Sequence, residues 1–153
     1  MAYWLMKSEP DVYGIEHLKS EGETIWDGIR NYQARNLMRD MKIGDLAFFY
    51  HSNTKPPGIA GLMKVSKLGL DDPTQFDPQN KYYDPKSTPE NPRWQTVALE
   101  YVETFPTYLT LNTLREQFEP EDLLILRRGN RLSITPVADD VAEQILKLVG
   151  SAR

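Results

Sequence analysis

Between Asp71 and Arg93 the chain carries five prolines and not one aliphatic residue. Proline removes a backbone donor and fixes φ, so neither a central strand nor a helix interior fits there. The only apolar side chains in the stretch are Phe76, Tyr82 and Tyr83. A core must be built from the flanks, joined by a long connection at about 71–93. Connections beyond ~12–15 residues are uncommon inside a domain and are usually either a functional lid or disordered.

The flanks supply alternating strands and helices. Tyr3–Lys7 reads as a first strand, closed by Ser8-Glu9-Pro10 and followed by a short helix around Ile15 and Leu18. Thr24–Trp26 reads as a second strand. Ala34, Leu37, Met38 and Met41 fall at i, i+3, i+4 and i+7, which predicts a helix with one apolar stripe. Asn31 suits its N-cap and Gly44 the left-handed position after its last turn. Leu46–Tyr50, Ile59–Val65, Trp94–Val102 and Arg131–Thr135 read as further strands, and Leu111–Phe118 as one or two helical turns. A C-terminal helix presents Val141, Ala142, Ile145, Leu148 and Val149 on one face, with acids at its start and Gly150 after its end. Without a regular βαβ alternation, the expected class is α+β.

At 153 residues, with 40% hydrophobic and 26% charged side chains, the composition predicts one soluble domain spanning 1–153. The absence of cysteine excludes disulfides, thiolate zinc sites and cysteine nucleophiles. No apolar run approaches the ~18 residues of a membrane helix, and the N-terminus lacks signal-peptide features, so the cytoplasm is the expected address. The net charge of −4 argues against wholesale wrapping of nucleic acid. Between Asp27 and Lys67, however, seven cations face three anions, a local basic bias compatible with narrow contact to a polyanion.

Several enzymatic motifs are missing. His17 and His51 lack any metal-binding spacing, Pro57–Gly61 lacks the ending of a phosphate loop, and no serine sits in a nucleophile elbow. His51 and Ser52 are adjacent, and a strand would point them to opposite faces. Three stretches remain. Lys7-Ser8-Glu9-Pro10 is either an ordinary strand exit or a cluster of donors and an acceptor at a cavity rim. Trp26 to Asn36 joins a tryptophan, a glycine turn and a helix start crowded with Arg, Asn and Tyr. That suits a core indole beside a solvated face, or a site for phosphate and a base edge. Phe48 to Asn53 is an aromatic strand ending in hydrogen-bonding residues, where a loop begins.

Taken together, Tyr3–Pro10, Trp26–Asn36, Phe49–Ser52, Gly58–Gly61 and Arg131–Val137 resemble the EVE domain family, in family order and over nearly the whole chain. The resemblance implies a PUA-like fold, a small, strongly curved β-barrel with surrounding helices. It also implies kinship with YTH domains, which hold a methylated adenine in an aromatic cage. The implied function is a reader of DNA or RNA that accepts a flipped, modified base, such as methylated or hydroxymethylated cytosine. On this reading Lys7, Ser8, Trp26, Asn31, Tyr32, Tyr50, His51 and Ser133 are expected to line the base pocket, with Trp26 as its floor. Arg30, Arg35 and Arg39 are expected on phosphates, and Phe76, Tyr82 and Tyr83 are candidates for a lid. The expected partner is nucleic acid carrying a modified base; no catalytic residue, metal, cofactor, membrane or protein partner is assigned. Two alternatives stand beside it. One is a hydrolase of modified nucleosides using Lys7, Ser8 and Glu9, as ASCH-type relatives are thought to do; the other is a binder of small molecules or nucleosides.

Overall fold

The structure, a computed structural model, describes all 153 residues. Its strands are β1 (Tyr3–Ser8), β2 (Glu23–Ile25), β3 (Leu46–His51), β4 (Gly58–Asp71), β5 (Gln95–Thr110) and β6 (Ile134–Val137). Its helices are α1 (Pro10–Tyr13), α2 (Ile15–Glu21), α3 (Tyr32–Arg39), α4 (Leu111–Gln117) and α5 (Asp139–Leu148). The strands form one mixed sheet in the order β2-β5-β4-β3-β1-β6. The α+β class is as expected; the sheet keeps two edges, β2 and β6, so it is an open mixed sheet and does not by itself confirm the small curved barrel that the resemblance implied. Both edge strands are short, and α3 packs on β5 and on β6 rather than leaving that space for strand pairing.

One pairing positions everything that follows. β1 and β3 run parallel, with Tyr3 opposite Leu46 and Ser8 opposite His51. Parallel strands end at the same edge, so the polar exits Lys7-Ser8-Glu9 and His51-Ser52-Asn53 emerge side by side. The Ser52 N–H donates to the Ser8 carbonyl at 2.9 Å and ties them together.

Alternation along the strands sorts side chains between two cores. Trp4, Met6, Ala47 and Phe49 face one, with Trp26 and residues of α2 and α3. Leu5, Leu46, Phe48 and Tyr50 face the other, which α4 and α5 cover with Leu114, Val141, Ala142 and Ile145.

Several boundaries differ from the sequence reading. β4 and β5 extend beyond Val65 and Val102 because each is the other's partner through a ladder with four register shifts, which break the periodicity a sequence can show. β6 begins three residues later than expected and includes Pro136, which an edge strand tolerates. Pro10 starts α1 instead of merely closing a turn, since a first helical position needs no N–H. α3 has its Asn31 cap, the side chain accepting from the Ala34 N–H at 2.9 Å, but it ends at Arg39. Gly44, at φ 92°, instead makes the turn into β3. No helix is long and apolar enough to cross a membrane.

The Pro-rich stretch is held by polar groups. A short 3-10 turn, Pro73–Phe76, places Gln75 in complete burial. Its Nε2 donates to the carbonyls of Asp72 and Trp94 at 2.8 and 2.9 Å, and its Oε1 accepts from Ser87 Oγ and from the Trp94 N–H. Every hydrogen-bonding atom of that amide has a partner, as burial demands.

Candidate functional site

Where β1 and β3 end, a cavity of about 630 Å³ opens toward the first core. Lys7, Ser8 and Glu9 line it from β1, and Val12 and Tyr13 from α1. Thr24 to Ile29 add the turn after β2, Ser52 and Ser133 close one side, and Lys81 and Tyr82 reach in from the Pro-rich segment. The volume is in the range of small-ligand sites.

Trp26 is a wall of this cavity but not an open floor. It is only 6% exposed, and its ring stands edge-on to Phe49 with centroids 5.6 Å apart. The three indoles differ in one respect. Trp4 donates its N–H to Asp45 and Trp94 donates to Asp84, whereas the Trp26 N–H has no such partner.

Lys7 is half-buried and joins none of the three ion pairs, and burial pulls its ammonium below the usual lysine range. Its backbone N–H donates to the Ser133 carbonyl at 2.8 Å, which brings that serine to the rim. Ser8 Oγ donates to the Tyr13 carbonyl at 2.6 Å, and Tyr13 Oη donates to Glu21 at 2.5 Å. Burial and that carboxylate push the Tyr13 hydroxyl up to about 12. The Asp27 carboxyl is raised by burial and then by the charge of Asp72, with Arg30 opposing.

The turn after Trp26 needs glycine. Gly28 has φ 82°, donates its N–H to Asp72 at 2.8 Å, and would place a Cβ 2.6 Å from the Tyr82 ring. Tyr82 therefore lies flush against the turn that carries Trp26, and of the three lid candidates only Tyr82 reaches the cavity. Phe76 and Tyr83 lie outside its lining.

The arginines separate into two roles. Arg30, expected on phosphate, is already engaged: it donates to Asp72 at 3.0 Å, to Thr74 at 2.9 Å, and to the carbonyls of Tyr82 and Ile29. Asp72 is 2% exposed, and a buried carboxylate requires such a counterion. Arg35 and Arg39 remain without carboxylate partners, as does Arg93. Arg35 lies 4.6 Å over the Tyr32 ring, which stacks on Trp94 at 4.8 Å. Burial and the nearby Arg39 lower the Arg35 guanidinium somewhat. Arg39 meets Gln95 at 2.5 Å and borders a second cavity, about 450 Å³, between α3 and the β4–β5 ladder.

Four expected pocket residues lie elsewhere. Tyr50 is buried among Leu5, Phe48 and Ile59, because alternation along β3 turns it to the second core. His51 faces the correct side, but its Nε2 accepts from the Ile15 N–H at 3.2 Å and anchors the start of α2. Asn31 is occupied as the α3 cap, and Tyr32 stands half-exposed on the arginine face. Lys7, Ser8, Trp26 and Ser133 line one cavity together. The sequence reading missed Asp27, Val12, Ile25 and Lys81; only Asp27, inside the Trp26 motif, carried a signal, and it reads there as a turn residue. No cluster of three or more His, Asp or Glu side chains forms a metal-binding group.

Comparison with known proteins follows the same lines. A model described as the EVE domain matches residues 2–148. Human thymocyte nuclear protein 1 is 41% identical over 165 aligned positions, covering 96% of this chain and 73% of the human protein. A crystal structure of human THYN1 protein in complex with 5-methylcytosine-containing DNA superposes with a TM-score of 0.90 at 40% identity, covering 100% of each chain. The Mmi1 YTH domain shares the fold, with a TM-score of 0.56 at 13% identity, over 97% of this chain and 75% of that one. The human relative's name is that of a nuclear protein, which lends no support to the cytoplasmic address expected here.

Proposed function

The chain belongs to the EVE domain family, and on that footing we propose that it binds DNA carrying a modified cytosine, with the base turned out of the helix into the 630 Å³ cavity. One observation carries the reading. A cavity walled by Trp26 and edged by Lys7, Ser8 and Ser133 lies in a chain that aligns, end to end, with a protein solved on 5-methylcytosine DNA.

The energetics require more than the indole. Turning a base out costs a few kcal/mol, and an aromatic contact returns ~1–3 kcal/mol. Trp26 and Tyr82 together offset the flip, and net affinity comes from the base edge and the phosphates. Lys7, Ser8 and Ser133 supply edge donors and acceptors. Arg35 and Arg39, joined by Arg93, supply the backbone contacts, while Arg30 holds the segment that carries Tyr82. Two or three such contacts give a log K against log salt slope of roughly −2 to −3. Burying one methyl adds ~0.8 kcal/mol, about fourfold, so selectivity for simple methylation is modest.

The test is a fluorescence-anisotropy panel of duplexes with and without one 5-methylcytosine, and matching RNA, at two salt concentrations. The reading requires tighter, salt-sensitive binding of the modified DNA; equal binding of all strands contradicts it. A second reading, hydrolysis of a modified nucleoside, is favoured by one observation: an unpaired Lys7 with a lowered pKa shares the cavity with an Asp27 whose pKa is raised. Turnover of a modified nucleoside, lost in Lys7→Ala, supports that reading, and an unchanged nucleoside after long incubation removes it.

A further inference from the structure

The binding reading gives no role to Asp27, whose carboxylate lines the cavity beside Trp26. Three carboxylates border the cavity. Glu21 is held by the Tyr13 hydroxyl at 2.5 Å and Glu9 is approached by Asn53 Nδ2 at 3.4 Å. Asp27 joins no ion pair, and no other side chain donates to it. Lys7, which lines the cavity from β1, is likewise unpaired, and the two form no ion pair with each other. The cavity therefore presents a pure acceptor and a pure donor, neither engaged by another side chain.

We propose that Asp27 is the specificity-determining residue for the exocyclic amino group of the bound base, so that the site takes an aminopyrimidine and refuses thymine. The proposal rests on the reading that the cavity receives a flipped base. 5-Methylcytosine and thymine share their ring, their methyl and their O2; they differ at position 4 and at N3. Cytosine offers an amino donor and a ring acceptor there, whereas thymine offers a carbonyl and an N–H. An amino N–H donates to the Asp27 carboxylate, while a thymine O4 would set two acceptors against each other. The Lys7 ammonium, which can only donate, answers O2 or N3. A methyl-sized space cannot separate these two bases; an acceptor-only carboxylate can, because a bound thymine would displace its water and set O4 in that place. Partial desolvation at the cavity wall, with the charge of Asp72, displaces the Asp27 carboxyl upward although solvent still reaches the side chain.

The experiment uses single-stranded oligonucleotides, identical except for 5-methylcytosine, cytosine or thymine at one position, which removes the cost of unpairing. Wild type, Asp27→Asn and Asp27→Glu are compared, with melting temperatures confirming that each is folded. Asp27 is open to solvent and unpaired, so neither substitution burdens the core. Wild type is expected to bind 5-methylcytosine about tenfold tighter than thymine, the scale of one specific edge contact. In Asp27→Asn, whose amide can also donate, that ratio falls below about threefold while the ratio of 5-methylcytosine to cytosine persists; Asp27→Glu, which keeps a carboxylate, retains most of it. Wild-type ratios in Asp27→Asn overturn the assignment of Asp27 and leave the binding reading intact. A wild-type protein that binds all three strands alike, or none, overturns both.

Discussion

The two faces of the sheet bury comparable clusters, yet they are built differently. The face under α4 and α5 is filled by Leu, Ile, Val and Phe, together with the buried Tyr50 and Ala142. The face under α2 and α3 holds two tryptophans and Met6, Met38, Met41 and Met63, and it opens onto the cavity. Branched aliphatics and phenylalanine adopt few rotamers and specify a fixed packing, whereas methionine is unbranched and adapts to irregular gaps. The difference places structural rigidity on one side of the sheet and an adjustable wall on the other. It also explains why polar anchoring is concentrated on the cavity side: Trp4 donates to the buried Asp45, and Gly28 and Arg30 to the buried Asp72.

Breaking the packed face should cost most. Phe48→Ala is expected to lose about 3–5 kcal/mol in urea unfolding, since Phe48 is fully buried, while the folded fraction keeps its DNA affinity. A parallel loss of affinity would mean the two faces are not separate in function.

Asp45 offers the next test. Burial alone would raise its carboxyl, but hydrogen bonds from the Ala2 N–H, the Trp4 indole and the Lys42 N–H hold it below its ordinary value of 3.8. A depressed folded-state pKa contributes stability that is present above the unfolded value and is lost as pH falls through the folded one. Melting temperature measured from pH 6 downward should therefore fall below about pH 4 in wild type and flatten in Asp45→Asn. At pH 7 the variant should already be about 1–3 kcal/mol less stable. An identical acid profile for both proteins would contradict the assignment.

Trp26→Phe sharpens the comparison from the cavity side. A smaller ring keeps the contact with Phe49 and loses part of the wall, so binding to modified DNA should weaken by about 1–2 kcal/mol, with a smaller change in stability. Unchanged affinity would remove Trp26 from the site. The smallest effect is expected at Arg35. Arg35→Ala should change stability by less than about 0.5 kcal/mol and reduce the salt slope of binding by about one. Arg30→Ala should do the reverse, destabilising the Pro-rich segment by losing the counterion of Asp72.

What could be read from the sequence was mostly local. The α3 stripe with its Asn31 cap and the α5 stripe are periodic patterns, and both helices form. The cavity rim at Lys7 and Ser8 was visible as polar groups closing an apolar strand. Hidden features depend on partners distant in sequence. Arg30 and Arg35 look alike in the chain, and only Asp72 decides that one is engaged as a counterion. Gln75 looks like a loop residue, yet it is the polar centre of the Pro-rich segment. Tyr50 and His51 could be assigned to opposite faces, but not to the face that holds the cavity. Gly61 sits where a Cβ would meet the Glu103 carbonyl at 2.5 Å, a close approach that the irregular β4–β5 ladder creates and no periodicity reveals.

The central claim, that the cavity beside Trp26 receives the base, is most directly tested with the three indole N–H resonances of ¹⁵N-labelled protein. During titration with a single strand carrying one 5-methylcytosine, the Trp26 signal should move saturably. The Trp4 signal, fixed on Asp45 inside the core, should stay. A strand that binds while the Trp26 resonance remains still would contradict the account.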